Sequence, residues 1–188
     1  VAAAATGGTY LNYEDRLRWV LVAEAIDDGG LKATAEITIT VTDANDKPTM
    51  SAASMYVLES QSSGTFGDQL TGEDEDAGEA ASLEFYIDSS AGSLPFSLST
   101  SGMFSVSSSL NYEAKSTYSF QVYAQDARNL KSDTATVTIT VGDVNEQPSF
   151  TLSSYSLSVS ESAEIGTSVG AALTATDPDN LQTLVFSI

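Results

Sequence analysis

The chain matches itself at an offset of about 100 residues, and self-similarity at a fixed spacing marks a tandem array of like units. Leu11-Asn12-Tyr13-Glu14 recurs as Leu110-Asn111-Tyr112-Glu113, and Ala25-Ile26-Asp27 as Ala124-Gln125-Asp126. Asp43-Ala44-Asn45-Asp46-Lys47-Pro48 recurs as Asp143-Val144-Asn145-Glu146-Gln147-Pro148. Glu59 matches Glu161, and Asp74-Glu75-Asp76 matches Asp177-Pro178-Asp179. The blocks keep the same order in both copies, which excludes coincidence and requires one fold to be built more than once.

The sequence between the blocks is strand-like. Ala35, Ile37, Ile39 and Val41 alternate with Glu36, Thr38, Thr40 and Thr42, and Ala135, Val137, Ile139 and Val141 alternate in the same way. Period-two alternation rich in β-branched residues predicts half-buried strands. A second strand is expected before each, through Trp19, Leu21, Ala23 and Ala25 in one copy and Tyr118, Phe120, Val122 and Ala124 in the other. A third is expected soon after each Pro, at Met55 and Val57 and again at Leu157 and Val159. Short strands separated by Gly, Ser and Asp predict an all-β chain of antiparallel sandwiches. No convincing amphipathic helix is present.

Pro48 and Pro148 follow the two acidic linker blocks. Proline holds the residue before it extended, so each block is predicted to be a short, stiff linker. Boundaries placed there give one complete repeat, 49–148, preceded by the C-terminal half of a repeat, 1–48, and followed by the N-terminal half of another, 149–188.

Charge narrows the partners. The chain has 26 Asp and Glu against 7 Lys and Arg, a net charge of −19, so nucleic acid is an unsuitable partner. With 41% hydrophobic residues it can still bury a core. No apolar run approaches the roughly 20 residues that span a bilayer, and Val1-Ala2-Ala3-Ala4-Ala5 lacks the form of a secretory signal. There is no Cys and no His, which excludes disulfides, a thiolate nucleophile, a His-based triad and an ordinary zinc site. Clustered carboxylates without soft ligands suit a hard cation held by oxygen.

The ordered blocks resemble the cadherin repeat. In that family a Glu near the first strand, an L-D-x-E block, an A-x-D block, a D-x-D block and a D-x-N-D-N linker bind calcium between successive domains. The resemblance covers essentially the whole chain and implies tandem Greek-key β-sandwiches of about seven strands per repeat. Three departures stand out. Asn12 and Asn111 replace the Asp of the L-D-x-E block, Glu146 replaces a linker Asp, and Lys47 and Gln147 stand where the family favours Asn. Asn supplies a carbonyl oxygen without charge, while Lys47 sets a positive charge beside the first linker.

Carried over block by block, the resemblance implies two junctions. The first would draw on Glu14 and Asn12, on Asp43, Ala44, Asn45 and Asp46 of the linker, and on Asp74, Asp76 and Asp126 of the complete repeat. The second would draw on Glu59, Glu113 and Asn111, on Asp143, Val144, Asn145 and Glu146, and on Asp177 and Asp179. Asp27 would belong to an earlier junction. Calcium takes six to eight oxygens at about 2.3–2.6 Å, more than one end of a sandwich can offer. The linker, the base of one domain and the top of the next supply them jointly.

Plainer readings exist for these residues. Asp and Asn also punctuate turns, and Asp74 with Asp76 is conceivable as a glycosidase carboxylate pair. Trp19 could be an exposed adhesive anchor, but its alignment with Tyr118 on an inward strand face predicts a core position. The Ser-rich stretches 91–109 and 152–162 fit O-linked sugar and loop polarity equally well.

The function that the resemblance implies is a calcium-binding, extracellular or cell-surface adhesion module rather than an enzyme. The alternative is a carbohydrate-binding or spacer sandwich within a larger secreted protein. Expected partners are calcium and neighbouring repeats, with homophilic contacts a further prospect. Segments 149–188 and 1–48 are also complementary halves, so successive copies or segments could complete one another's sandwiches head to tail as a filament.

Overall fold

The computed structural model describes residues 11–76, 78–179 and 182–188. Its strands are β1 (Arg18–Ile26), β2 (Lys32–Thr40), β3 (Thr49–Met50), β4 (Ala53–Leu58), β5 (Thr65–Phe66), β6 (Gly72–Glu73) and β7 (Glu84–Ile87). They continue with β8 (Phe96–Leu98), β9 (Phe104–Val106), β10 (Thr117–Gln125), β11 (Ala135–Gly142), β12 (Ser149–Phe150) and β13 (Ala175–Thr176). Two single 3-10 turns, Glu79–Ser82 and Ser89–Ala91, are the only helical segments among the described residues.

Seven of these strands close one Greek-key sandwich. A sheet in the order β4-β11-β10-β7 packs on a sheet in the order β5-β9-β8. The alternation read from sequence is what buries the core, because every second residue of β10 and β11 points inward. Phe120 and Val122 of β10 and Val137, Ile139 and Val141 of β11 are buried, as are Phe66, Phe96 and Phe104 from the facing sheet. Phe104 meets Phe120 edge-on at 5.8 Å between ring centroids, and this contact ties the two sheets together.

One pairing departs from the antiparallel expectation. β4 runs parallel to β11, with Met55 opposite Ile139 and Val57 opposite Val141. These are the first and last long strands of the unit. The rest of the sandwich separates them, so no hairpin forces them to run in opposite directions.

The flanking segments repeat parts of this plan without its core. β1 and β2 form a regular antiparallel hairpin, Trp19 opposite Ile39, that corresponds to β10–β11. No second sheet covers it among the described residues. Trp19 is therefore not the core residue expected: it is 37% exposed, beside Ile37 at 45% and Ile39 at 39%. Tyr118 packs against Phe96 at 5.1 Å, whereas the Arg16 guanidinium lies 4.2 Å from the Trp19 ring. The strand expected at Leu157 and Val159 is also missing, and both residues are half exposed. In the complete repeat β4 needs β11 as its ladder partner, and 149–188 contains no counterpart of β11.

Two short ladders position the linkers. Thr49 pairs with Glu73 and Met50 with Gly72. In the next unit Ser149 pairs with Thr176 and Phe150 with Ala175. Each ladder sets the residues just after a linker Pro beside those just before a D-x-D block. Gly72 permits the first approach, since a Cβ there would lie 2.8 Å from the Thr49 carbonyl oxygen.

Candidate metal centres at the repeat junctions

Both linkers approach their D-x-D block through the same backbone contacts. The Asp46 amide donates to Asp76 Oδ2 at 2.9 Å, and the Glu146 amide donates to Asp179 Oδ2 at 2.8 Å. Within each block the second Asp amide donates to the first carboxylate, Asp76 to Asp74 Oδ1 at 3.0 Å and Asp179 to Asp177 Oδ1 at 2.9 Å. Each second Asp is thereby fixed and buried, Asp76 at 3% and Asp179 at 7% exposure. The repetition shows that the blocks are structural equivalents.

At the first junction the Asn45 amide donates to Asp126 Oδ2 at 2.6 Å, which joins the linker to the β10–β11 turn. Glu14, Asp43 and Asp76 bring one carboxylate oxygen each within 4.8 Å of one another, as do Glu14, Asp46 and Glu75. Asp74, Asp76 and Glu79 form a third such group. Glu75 and Glu79 were not expected from the sequence. Glu79 lies outside the matched blocks and is placed by the 3-10 turn that follows Gly78, whose φ is +85°.

At the second junction Glu59 links three pieces of chain. Its Oε2 accepts from the Tyr112 amide at 2.7 Å and its Oε1 from the Val144 amide at 2.8 Å. Glu59, Glu113, Asp143 and Glu146 each offer an oxygen within 4.8 Å of the others. The Asn145 amide donates to the Glu146 carbonyl, and its Oδ1 accepts from Gln182 at 2.8 Å.

The departures from the family pattern have local roles. Asn12 Oδ1 accepts from the Glu14 and Asp15 amides at 2.7 and 3.1 Å, and Asn111 Oδ1 accepts from the Ala114 amide at 2.5 Å. Each Asn closes the turn that presents the neighbouring Glu. Lys47 pairs with Asp133. Asp27 lies at neither junction; its Oδ1 accepts from the Leu31 amide at 2.8 Å, as Asp126 Oδ1 does from Leu130. Ala44 and Val144 follow Asp43 and Asp143 within the two linkers.

Both junctions concentrate negative charge. Burial, then the like charges of Glu59, Glu113, Asp179 and Asp143, pushes the Glu146 carboxyl above its usual 4.5. Burial, with Asp179 and Glu59, does the same to Asp143. Glu14 and Asp74 are also raised, chiefly by burial. Among the described residues, six side-chain atoms are buried without a hydrogen-bond partner: Asn45 Oδ1, Asp74 Oδ2, Asp76 Oδ1, Glu79 Oε2, Glu113 Oε2 and Glu146 Oε2. All six are oxygens at the junctions. A buried unpaired carboxylate is costly, and a hard cation that prefers oxygen removes that cost. The donor set therefore fits calcium.

Comparisons with known proteins bear on the family and the fold. The Cadherin domain family matches residues 53–142. Human Cadherin-18 is 33% identical over 195 residues, covering 93% of this chain and 25% of its own length. Chicken (Gallus gallus) Cadherin-7 is 34% identical over 189 residues, 90% of this chain and 24% of that protein. The chain thus spans about a quarter of the length of these relatives. Among solved structures, the extracellular cadherin domains 1-4 of Protocadherin Gamma B7 align over 90% of this chain and 42% of that one, with 29% identity and a TM-score of 0.68. Domains EC22-24 of mouse Cadherin-23 align over 91% and 57%, with 31% identity and a TM-score of 0.64.

Proposed function

From the premise that this chain belongs to the cadherin-repeat family, we propose that it is a calcium-binding extracellular adhesion module whose repeats are stiffened at their junctions. The observation that carries the reading is the recurrence of one cradle. A linker amide is bonded to a buried D-x-D carboxylate at both junctions, and unpaired buried oxygens surround each. The division at Pro48 and Pro148 belongs to the same proposal.

The chain's own side chains bind and orient. Glu14, Asp43, Asp46, Asp74, Asp76 and Asp126, with the Asn45 carbonyl, would hold calcium at the first junction. Glu59, Glu113, Asp143, Glu146, Asp177 and Asp179 would do so at the second. Calcium, when bound, supplies the positive charge that lets these carboxylates stay together. Each set comes from more than one repeat, so holding it together fixes the angle of the joint. On this reading the module is non-catalytic, and its partners are calcium and neighbouring repeats of the same or another copy. The matches do not favour the carbohydrate-binding alternative.

The test is thermal unfolding with calcium and with chelator. A ligand that binds only the folded state stabilises it by about 2.7 kcal/mol at a hundredfold excess over its dissociation constant. A melting temperature several degrees higher in calcium is expected; superimposable melts would sink the reading.

A further inference from the structure

A cation already sits at the first junction. Asp126 Oδ1 accepts from the Arg128 and Leu130 amides, both at 2.8 Å, which fixes the backbone of the β10–β11 turn. From there the Arg128 guanidinium reaches the acids, Nη2 at 3.3 Å from Glu79 Oε1 and Nη1 at 3.7 Å from Asp76 Oδ1. The Asp76 side chain is 3% exposed and that of Arg128 49%. The contact to Asp76 is an ion pair without a hydrogen bond, and Asp76 Oδ1, Asp74 Oδ2 and Glu79 Oε2 accept no hydrogen bond. This is looser than the two-pronged fork that an arginine forms when a carboxylate is its sole partner. Burial holds the Glu79 carboxyl above its usual 4.5, and Arg128 offsets this only in part. At the second junction, among the described residues, no lysine or arginine pairs with Glu59, Glu113, Asp143 or Glu146.

We propose that Arg128 is a resident counter-ion of the first junction: it holds the Asp74–Asp76–Glu79 cluster together without metal and competes with calcium for it. The first junction then binds calcium less tightly than its carboxylates alone would allow. Glu79 is the tether, since its other oxygen anchors the guanidinium at the edge of the cluster. This inference rests on the calcium reading above. A unit charge within about 6 Å of a divalent ion changes its binding about tenfold even in water-like surroundings, and more at lower dielectric.

The experiment is a calorimetric calcium titration of the full chain carrying Glu113→Gln and Asp143→Asn, which silence the second junction. Arg128 is compared with Arg128→Gln and Arg128→Lys in that background, each with a melt in chelator. Arg128→Gln should bind calcium about tenfold more tightly at low ionic strength and melt at a lower temperature in chelator, while Arg128→Lys should stay near the parent in both. Equal calcium affinity with and without the charge, or an unchanged chelator melt in Arg128→Gln, overturns this inference alone. If none of the three takes up calcium, the calcium reading fails and this inference with it.

Discussion

Asp76 shows how single residues are used at these joints. One oxygen accepts the linker amide, the other is buried without a hydrogen bond, and the side chain is 3% exposed. Other carboxylates at the junctions link stability to pH. A carboxyl whose pKa is higher in the folded than in the unfolded chain stabilises the fold below the unfolded value, and that contribution is lost as pH rises through the folded value. Glu14, Asp74, Glu79, Asp143 and Glu146 are shifted in this direction. Asp88, held down by its Ser90 hydrogen bonds, and Asp126, where hydrogen bonds from Asn45 and nearby amides outweigh burial, are shifted the other way. In chelator the melting temperature is expected to fall as pH rises above the ordinary carboxyl range, and Glu146→Gln should make the slope shallower. With calcium in excess the trend should reverse, because metal binding needs the ionised carboxylates. A chelator profile with the same slope in Glu146→Gln would contradict this assignment. The matched acids were legible in the sequence because they recur. Glu79 and Arg128 were not, because a 3-10 turn and a hairpin turn outside the matched blocks bring them to the site.

At the scale of elements, alternation identified β1, β2, β10 and β11 and the inward face of each long strand in the complete repeat. It could not tell which faces have a partner. Trp19 and Tyr118 occupy the same place in their strands, yet only Tyr118 has a Phe96 to pack against. The parallel β4–β11 pair was likewise hidden, since period-two patterning carries no strand direction. Two substitutions separate core from joint. Phe104 is fully buried where the sheets meet, so Phe104→Ala should destabilise the sandwich by about 3–5 kcal/mol, read from denaturant unfolding. Asp143 is exposed in the second linker, with an oxygen within 4.8 Å of Glu59, Glu113 and Glu146. Asp143→Ala should leave that unfolding transition in chelator within about 0.5 kcal/mol of the parent. Small-angle scattering in calcium should then show a more bent or more variable particle. Loss of the folded sandwich in Asp143→Ala would show that the residue belongs to the domain and not to the joint.

For the whole molecule, repeats in series interact mainly with their neighbours, so the stiffness of the array is set at the junctions. The net charge of −19 adds repulsion along the array, and calcium at each joint would offset it where it is densest. The absence of Cys lets distance probes be placed without background labelling. The most direct measurement is a pair of spin labels across the first junction, at Thr38→Cys on the hairpin and Ser108→Cys on the complete repeat, both exposed positions. Pulsed dipolar spectroscopy then reads the distance distribution in calcium and in chelator. One narrow distribution in calcium that broadens in chelator is expected. A distribution of the same width in both would contradict the claim that calcium stiffens the joint.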